Sequence, residues 1–209
     1  MKQETPKSDL RKIRTKKLLR DALISLMAVK PAADITVKEL IETAQIGRST
    51  FYMHYTDKDD FIEKTVDEFL QYYETQSRQF DKLPYNEYIF KQKRFFFEYV
   101  RQNRNFFTVM FNEHNFPHFY NKLLDMGMRY MYRVYEPAKP NDAANPQNKD
   151  KVHMYFDITA NYIVSANIGF IKHWLESDLK FGAGFCSKKL SKFSYAILDS
   201  NGIVKKQNL

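Results

Sequence analysis

Cysteine is nearly missing from this chain of 209 residues, where Cys186 stands alone. One thiol excludes an intrachain disulfide framework and fits a reducing cytoplasm, with Cys186 expected to be inert. Long apolar runs are missing too. The most apolar stretch, Ile158 to Ile171, is interrupted by Asn161, Ser165 and Asn167 and falls short of the roughly 20 residues that a helical span requires. No membrane partner is expected, and the charged N-terminus has no apolar core behind it that would make a signal peptide. The six glycines form no phosphate-cradling loop, and no nucleophile elbow or identifiable His/Asp/Ser arrangement occurs. His114 and His118 are four apart, but Pro117 lies between them and only Glu113 stands nearby, which is too little for a metal centre. These absences argue against an enzyme, and no catalytic residue, cofactor or metal is expected.

Acidic residues are outnumbered, 25 against 33 Lys and Arg, giving a net charge of +8 and an isoelectric point near 9.3. That balance suits an anionic partner, although basic proteins without one are common. The charge is concentrated at the start. Within the first twenty residues Lys2, Lys7, Arg11, Lys12, Arg14, Lys16, Lys17 and Arg20 face only Glu4 and Asp9. The segment before about Lys12 is expected to be a frayed polar arm that lies along phosphates or enters a minor groove, or else a solvated tail.

The densest information lies between Thr36 and Lys58. Thr36 and Glu39 have capping-box spacing, so a helix starts there, and Val37, Leu40, Ile41 and Ala44 recur on one face of it. Gln45-Ile46-Gly47 is too short to let the next helix drift, Ile46 suits an apolar plug, and Gly47 is an acceptable N-cap. In the second helix Phe51 and Tyr55 make the apolar i, i+4 pair, while Arg48, Ser49, Thr50, Tyr52 and His54 point elsewhere with groups suited to phosphates and base edges. This is the layout of a helix-turn-helix, although any small capped helical hairpin shares the pattern. Lys58 opens a third helix, where its charge opposes the helix dipole. A phosphate held jointly by that terminus and Lys58 would compensate; the plainer reading is a solvated lysine.

The string from Ala44 to Phe61, AQIGRSTFYMHYTDKDDF, resembles the signature of the TetR/AcrR family of transcriptional regulators, Ala-Gly-Val-Ser-x-x-Thr-Phe-Tyr-x-His-Phe-x-x-Lys-x-x-Leu, without a gap. Leu19, Ala22, Leu23 and Leu26 fall where the family's first helix has its buried stripe. The resemblance covers about the first third of the chain. Two positions depart from it: Gln45 replaces the turn glycine, at roughly 1–2 kcal/mol if the backbone there stays left-handed, and Gly47 replaces the usual capping Ser or Asn. The resemblance implies a DNA-binding domain over 10–71, with the helix-turn-helix at about 36–55, and a helical effector-binding and dimerisation domain over 72–209. It implies the same phosphate-clamping role for Lys58.

Beyond Phe61 the periodicity predicts helices from near Asp59 to about Gln79, over Tyr85–Gln102, Arg104–Phe111, Phe116–Tyr135, Val152–Asp178 and Ser187–Ser200. Glu136 to Lys151, with three prolines and three asparagines, reads as a surface loop. The last two helices carry more apolar surface than one monomer face needs, and in the family such helices form a four-helix dimer interface; burial inside a larger monomer is the alternative. The middle helices are rich in aromatic residues and methionine, mostly core, with room for a cavity suited to a flat apolar ligand.

The chain is therefore expected to be all-α, with an N-terminal three-helix DNA-binding unit followed by a helical effector-binding and dimerisation domain. Its expected function is that of a cytoplasmic, ligand-responsive homodimeric repressor on a palindromic double-stranded operator. Thr36, Lys38, Gly47, Arg48, Ser49, Thr50, Tyr52, His54 and Lys58 form the expected DNA surface, with Arg48 and Thr50 at base edges and Tyr52, His54 and Lys58 at phosphates. Phe96, Tyr99, Phe107, Phe111, Met131, Tyr162 and Trp174 are the expected pocket for a small apolar or aromatic effector. The alternatives are a dimeric coactivator whose C-terminal domain binds a protein, and an intracellular carrier or enzyme for an apolar compound.

Overall fold

A computed structural model describes residues 7–83, 85–135 and 146–203 of the chain. Among these residues every regular element is helical, and the all-α expectation holds. The residues fall into two compact units. One comprises the chain up to Gln71 together with Val109–Pro117; the other comprises Tyr72–Thr108 and the chain from His118 onward.

The first unit is built from α1 (Lys7–Met27), a 3-10 turn (Ala32–Asp34), α2 (Val37–Ala44), α3 (Arg48–Tyr52) and the larger part of α4 (Lys58–Ser77). Leu19, Ala22, Leu23 and Met27 of α1 are buried with Leu40 and Ala44 of α2, Phe51 of α3 and Phe61, Ile62 and Val66 of α4. These positions repeat at three- and four-residue intervals, as one apolar stripe on each helix requires. Helix α1 begins at Lys7, so the frayed segment expected before Lys12 is helical from Lys7 on, and residues 1–6 lie outside the described residues. The stretch 109–117 is tied in through Asn115, whose buried amide accepts from Ala32 N–H at 3.0 Å and donates to the carbonyls of Val109 at 2.9 Å and Met27 at 3.3 Å. A buried amide with its bonds made fixes the chain around it at little net cost.

The second unit contains α5 (Tyr85–Gln102), most of α6 (Arg104–Met110), α7 (Phe119–Tyr135), α8 (Pro146–Glu176) and α9 (Ala183–Ser200), together with the end of α4 and a 3-10 turn at Arg78–Phe80. Helix α5 packs on α9 and α7 on α8. At Gly127 a Cβ atom would come within 2.4 Å of Val164 Cγ1, so α7 and α8 approach as closely as they do only because that side chain is missing. Three expected helix starts are corrected. Helix α7 starts at Phe119 and not at Phe116, with Pro117 in the turn before it. Helix α8 starts at Pro146 and not at Val152, because proline is favoured in the first helical turn; of the expected loop, residues 136–145 lie outside the described residues. Helix α9 starts at Ala183 after Gly182, ahead of the expected Ser187. Cys186 is buried, and burial raises its thiol pKa, which disfavours the nucleophilic thiolate.

Candidate functional site

In the first unit the capping box closes as its spacing predicts. Glu39 N–H donates to Thr36 Oγ1 at 3.2 Å, and Thr36 N–H donates to Glu39 Oε2 at 2.9 Å. Lys30 donates to the other Glu39 oxygen at 2.5 Å, and this bond, with those from Thr36, holds the Glu39 carboxyl down to about 2. The start of α2 is thereby anchored to the turn that precedes it. At its end Gln45 takes φ 54° and ψ 45°, the left-handed conformation that glycine would adopt without cost. Gln45 holds that conformation at a cost of roughly 1–2 kcal/mol.

Helix α3 is short. It ends at Tyr52, with Met53 as its cap, yet Tyr55 N–H still donates to Phe51 O at 3.0 Å. The expected pairing of Phe51 with Tyr55 therefore survives, with ring centroids 5.4 Å apart, and Phe61 closes the cluster at 4.7 Å from Tyr55. Burial pushes the Tyr55 phenol up to about 12, so it stays neutral. With Phe51 and Tyr55 facing the core, Arg48, Ser49 and Tyr52 are exposed, as are Lys38 and Gly47. The Arg48 guanidinium lies 5.6 Å from the Tyr52 ring centroid, one turn apart, so two expected DNA contacts share a face. Thr50 and His54 are half-buried beside them. A Cβ at Gly47 would meet only Thr50 Oγ1 at 3.7 Å and Ser49 Oγ at 3.9 Å, ordinary contacts, so the substitution at the cap is sterically neutral.

Two expected DNA residues have other immediate partners. The Thr36 hydroxyl is engaged in the capping box. The Lys58 ammonium donates to the carbonyls of Ala32 at 2.6 Å and Ala33 at 3.2 Å. The start of α4 is also already served: Asp57 Oδ1 accepts from Asp60 N–H at 2.8 Å, and Asp60 Oδ2 accepts from Thr56 N–H at 2.9 Å. Protein carboxylates and carbonyls thus supply the compensation that had pointed to a bound phosphate, and Lys58 keeps one of its three N–H donors for another acceptor.

The second unit contains a cavity of about 300 Å³, walled by the end of α4, α5, α7, α8 and Ser194 of α9. Of the seven residues expected to line a pocket, Phe96 and Met131 do so. Tyr99 and Phe107 are buried core, packed edge to face at 6.0 Å. Trp174 is buried against Phe97 and donates from Nε1 to Phe181 O at 2.8 Å. Phe111 belongs to the first unit, and Tyr162 is 62% exposed on α8. Sequence reasoning missed the polar wall: Gln92, which donates to the buried Tyr73 hydroxyl, and Lys93, which burial pulls from the ordinary lysine range to about 7. The available signal was a lysine inside an apolar stripe, four residues after Ile89 and four before Phe97.

Among the described residues no group of three or more His, Cys, Asp or Glu side chains could hold a metal ion, and no helix is long and apolar enough to cross a membrane.

Comparison with known proteins gives these two units a context. Residues 87–195 match the TetR-type family model of the transcriptional regulator C-terminal region. Over 177 residues, 82% of the chain, the sequence is 23% identical to the uncharacterised HTH-type transcriptional regulator YxbF of Bacillus subtilis (strain 168). The aligned part spans 42% of that relative's own length. Among solved structures, a TetR transcriptional regulator from Streptococcus agalactiae 2603V has a TM-score of 0.58 at 21% identity, covering 91% of this chain and 97% of that one. The dihydroxyacetone kinase operon activator DhaS has a TM-score of 0.56 at 14% identity, covering 87% and 94%. The fatty acid degradation regulator FadR from Bacillus halodurans has 0.55 at 12% identity, covering 92% and 96%. These structural likenesses are of fold. With the family match spanning more than half of its residues and a curated transcriptional regulator as relative, the chain belongs to the TetR family of DNA-binding transcriptional regulators.

Proposed function

We propose that the protein is a ligand-responsive homodimeric repressor, with residues 10–71 reading a palindromic double-stranded operator and residues 72–209 carrying effector and dimer surfaces. The observation that carries the DNA reading is the division of α3: Phe51 is fully buried while Arg48 and Tyr52 stack on the exposed side one turn apart. Arg48 and Thr50 read base edges, and Ser49 and Lys38 flank them. Tyr52, His54 and the free donor of Lys58 hold phosphates. Exposed Arg11, Arg14 and Lys17 of α1 extend the positive surface.

The test is a gel shift on DNA flanking the protein's own gene. The double variant Arg48→Ala, Tyr52→Ala is expected to lose on the order of 100-fold in affinity, from one base contact and one phosphate contact at about 1–3 kcal/mol each. Wild-type binding by that variant overturns the assignment.

Dimerisation is supported by helix α8, where Tyr155, Ile158 and Tyr162 are 58%, 60% and 62% exposed at helical spacing, continued by exposed Ala166 and Gly169. Phe185 and Phe193 extend the apolar surface on α9, 55% and 60% exposed. A contiguous apolar face of this kind asks for a partner, and a second copy supplies the two-fold axis that a palindrome needs. Tyr162→Glu is expected to shift the protein from dimer to monomer in sedimentation and to weaken operator binding. An unchanged oligomeric state places the interface elsewhere. Repression fits an effector cavity whose ligand releases DNA. DhaS is by its name an activator, so a coactivator whose C-terminal helices bind a protein is the second reading. Loss of operator binding on adding a small molecule decides for the first.

A further inference from the structure

The cavity of the second unit is unbalanced in charge. Lys93 stands in its wall and donates to Ser194 Oγ at 2.8 Å, Leu190 O at 3.2 Å and Asn167 Oδ1 at 3.5 Å. All three acceptors are neutral, and among the described residues no carboxylate pairs with this ammonium. Glu74, the acidic residue of the wall, is bound to Arg129 at 3.0 Å. Arg78, Arg129 and Arg133 also belong to the wall and are exposed, so the cavity meets solvent where cations stand. Arg133 is paired with Asp81 at 3.7 Å, so Lys93 and Arg78 remain as the wall cations for which the described residues show no carboxylate, around a space lined mainly by rings and aliphatic groups with Ser77, Gln92, Asn167 and Ser194 among them.

A desolvated ammonium with only neutral acceptors is a cost that an apolar residue would avoid. Burial has drawn the Lys93 proton affinity down to the neutral range, where a neighbouring negative charge favours the protonated form. The exposed arginines favour entry of an anion, and the rings of Tyr73, Phe96 and Phe97 accept an apolar body behind it. One buried cation balances one negative charge. A phosphate dianion would leave a second charge uncompensated at this depth. The volume of about 300 Å³ lies at the lower end of the roughly 300–1,000 Å³ usual for small-molecule pockets, which favours a compact ligand.

We infer that the ligand of this cavity is a small organic acid, a monocarboxylate that accepts from the Ser194 hydroxyl and takes over the Lys93 donor now used for its longest bond, to Asn167 Oδ1 at 3.5 Å, with an apolar or aromatic body among Tyr73, Phe96 and Phe97. This rests on the effector reading above and names its chemical class.

The test compares 3-phenylpropionate with 3-phenylpropan-1-ol, which share a body and differ in the charged head. Binding to the full chain is followed by calorimetry and by the fluorescence of Trp174, the single tryptophan, whose ring lies 5.2 Å from that of Phe97 in the cavity wall. Wild type is expected to bind the acid at least about tenfold more tightly than the alcohol. Lys93→Met is expected to lose that preference while still binding the alcohol. Equal binding of both probes to wild type, or an acid preference that survives Lys93→Met, overturns the acid class and leaves the effector cavity standing. Binding of neither probe to wild type removes the effector reading and the acid class with it. The wild-type comparison decides alone if the variant does not fold.

Discussion

Phe51→Ala is expected to cost the first unit about 3–5 kcal/mol, read as a lower urea midpoint. The Phe51 side chain is fully buried, and its ring lies 5.4 Å from Tyr52, 5.4 Å from Tyr55 and 5.8 Å from Phe61. Removing it opens a void at the junction of α3 and α4, where three rings lose a neighbour at once. Domains are stable by only about 5–15 kcal/mol, so a loss of this size leaves the DNA-reading unit marginal. Operator binding is expected to fail although Phe51 touches no DNA. The double variant at Arg48 and Tyr52 provides the contrast, because both residues are exposed and their stacking is a surface contact. Its melting is expected to stay within about 1 kcal/mol of wild type while its DNA affinity collapses. If Phe51→Ala melts like wild type, the division of α3 into a core face and a reading face is wrong.

Lys93→Met is expected to stabilise the protein by about 2–4 kcal/mol at pH 6, with the gain shrinking as pH rises towards 10. The sign follows from the lowered pKa of about 7. Below pH 7 both the folded and unfolded chains carry the lysine proton, and the folded state bears the full desolvation penalty. Between pH 7 and the ordinary lysine value the unfolded chain holds a proton that the folded chain has released. Wild-type stability therefore climbs with pH across that window, and methionine, with nothing to titrate, does not follow it. Each unit of the shift is worth about 1.4 kcal/mol, and the sum is reduced for the hydrogen bonds to Ser194, Leu190 and Asn167 that methionine gives up. The charges around the same cavity do not mimic this dependence, since Arg129 is paired with Glu74 and Arg133 with Asp81 at 3.7 Å, and the buried Tyr73 and Tyr130 phenols are held neutral by desolvation. Thermal unfolding of both proteins from pH 6 to pH 9 checks it. Parallel curves would show that Lys93 is not desolvated in the folded state.

The two halves of the chain were unequally legible. The helix-turn-helix can be read because its rules are local: a capping box three residues wide, an i, i+4 aromatic pair, and a turn too short to wander. Even where α3 ended early, the bond from Tyr55 to Phe51 preserved the spacing that the sequence displays. The cavity cannot be read that way. Phe96 lines it while Phe97 both lines it and packs on Trp174, and Tyr99 and Phe107 fill the core, yet all are aromatic residues on apolar helix faces. Which ring borders empty space depends on how α5, α7 and α8 converge, a tertiary property. Gly127 against Val164 sets part of that convergence, and nothing local to either residue announces it. The start of α8 was hidden for a different reason. A proline reads as a loop residue until the helix it opens is seen.

The stretch that carries Asn115 gives the first unit a history as well as a shape. Its amide closes hydrogen bonds to Ala32 and Met27 across 83 and 88 residues of sequence. During synthesis, α1, α2 and α3 leave the ribosome long before that amide exists, and at about 5–20 residues per second the wait lasts several seconds. Until then the carbonyl of Met27 and the amide of Ala32 have only water to bond. The DNA-reading unit therefore reaches its final packing only after the chain has been made through Pro117, by which time α5 is also complete. A fragment cut at the end of the N-terminal helices would be a nascent chain held permanently at that stage.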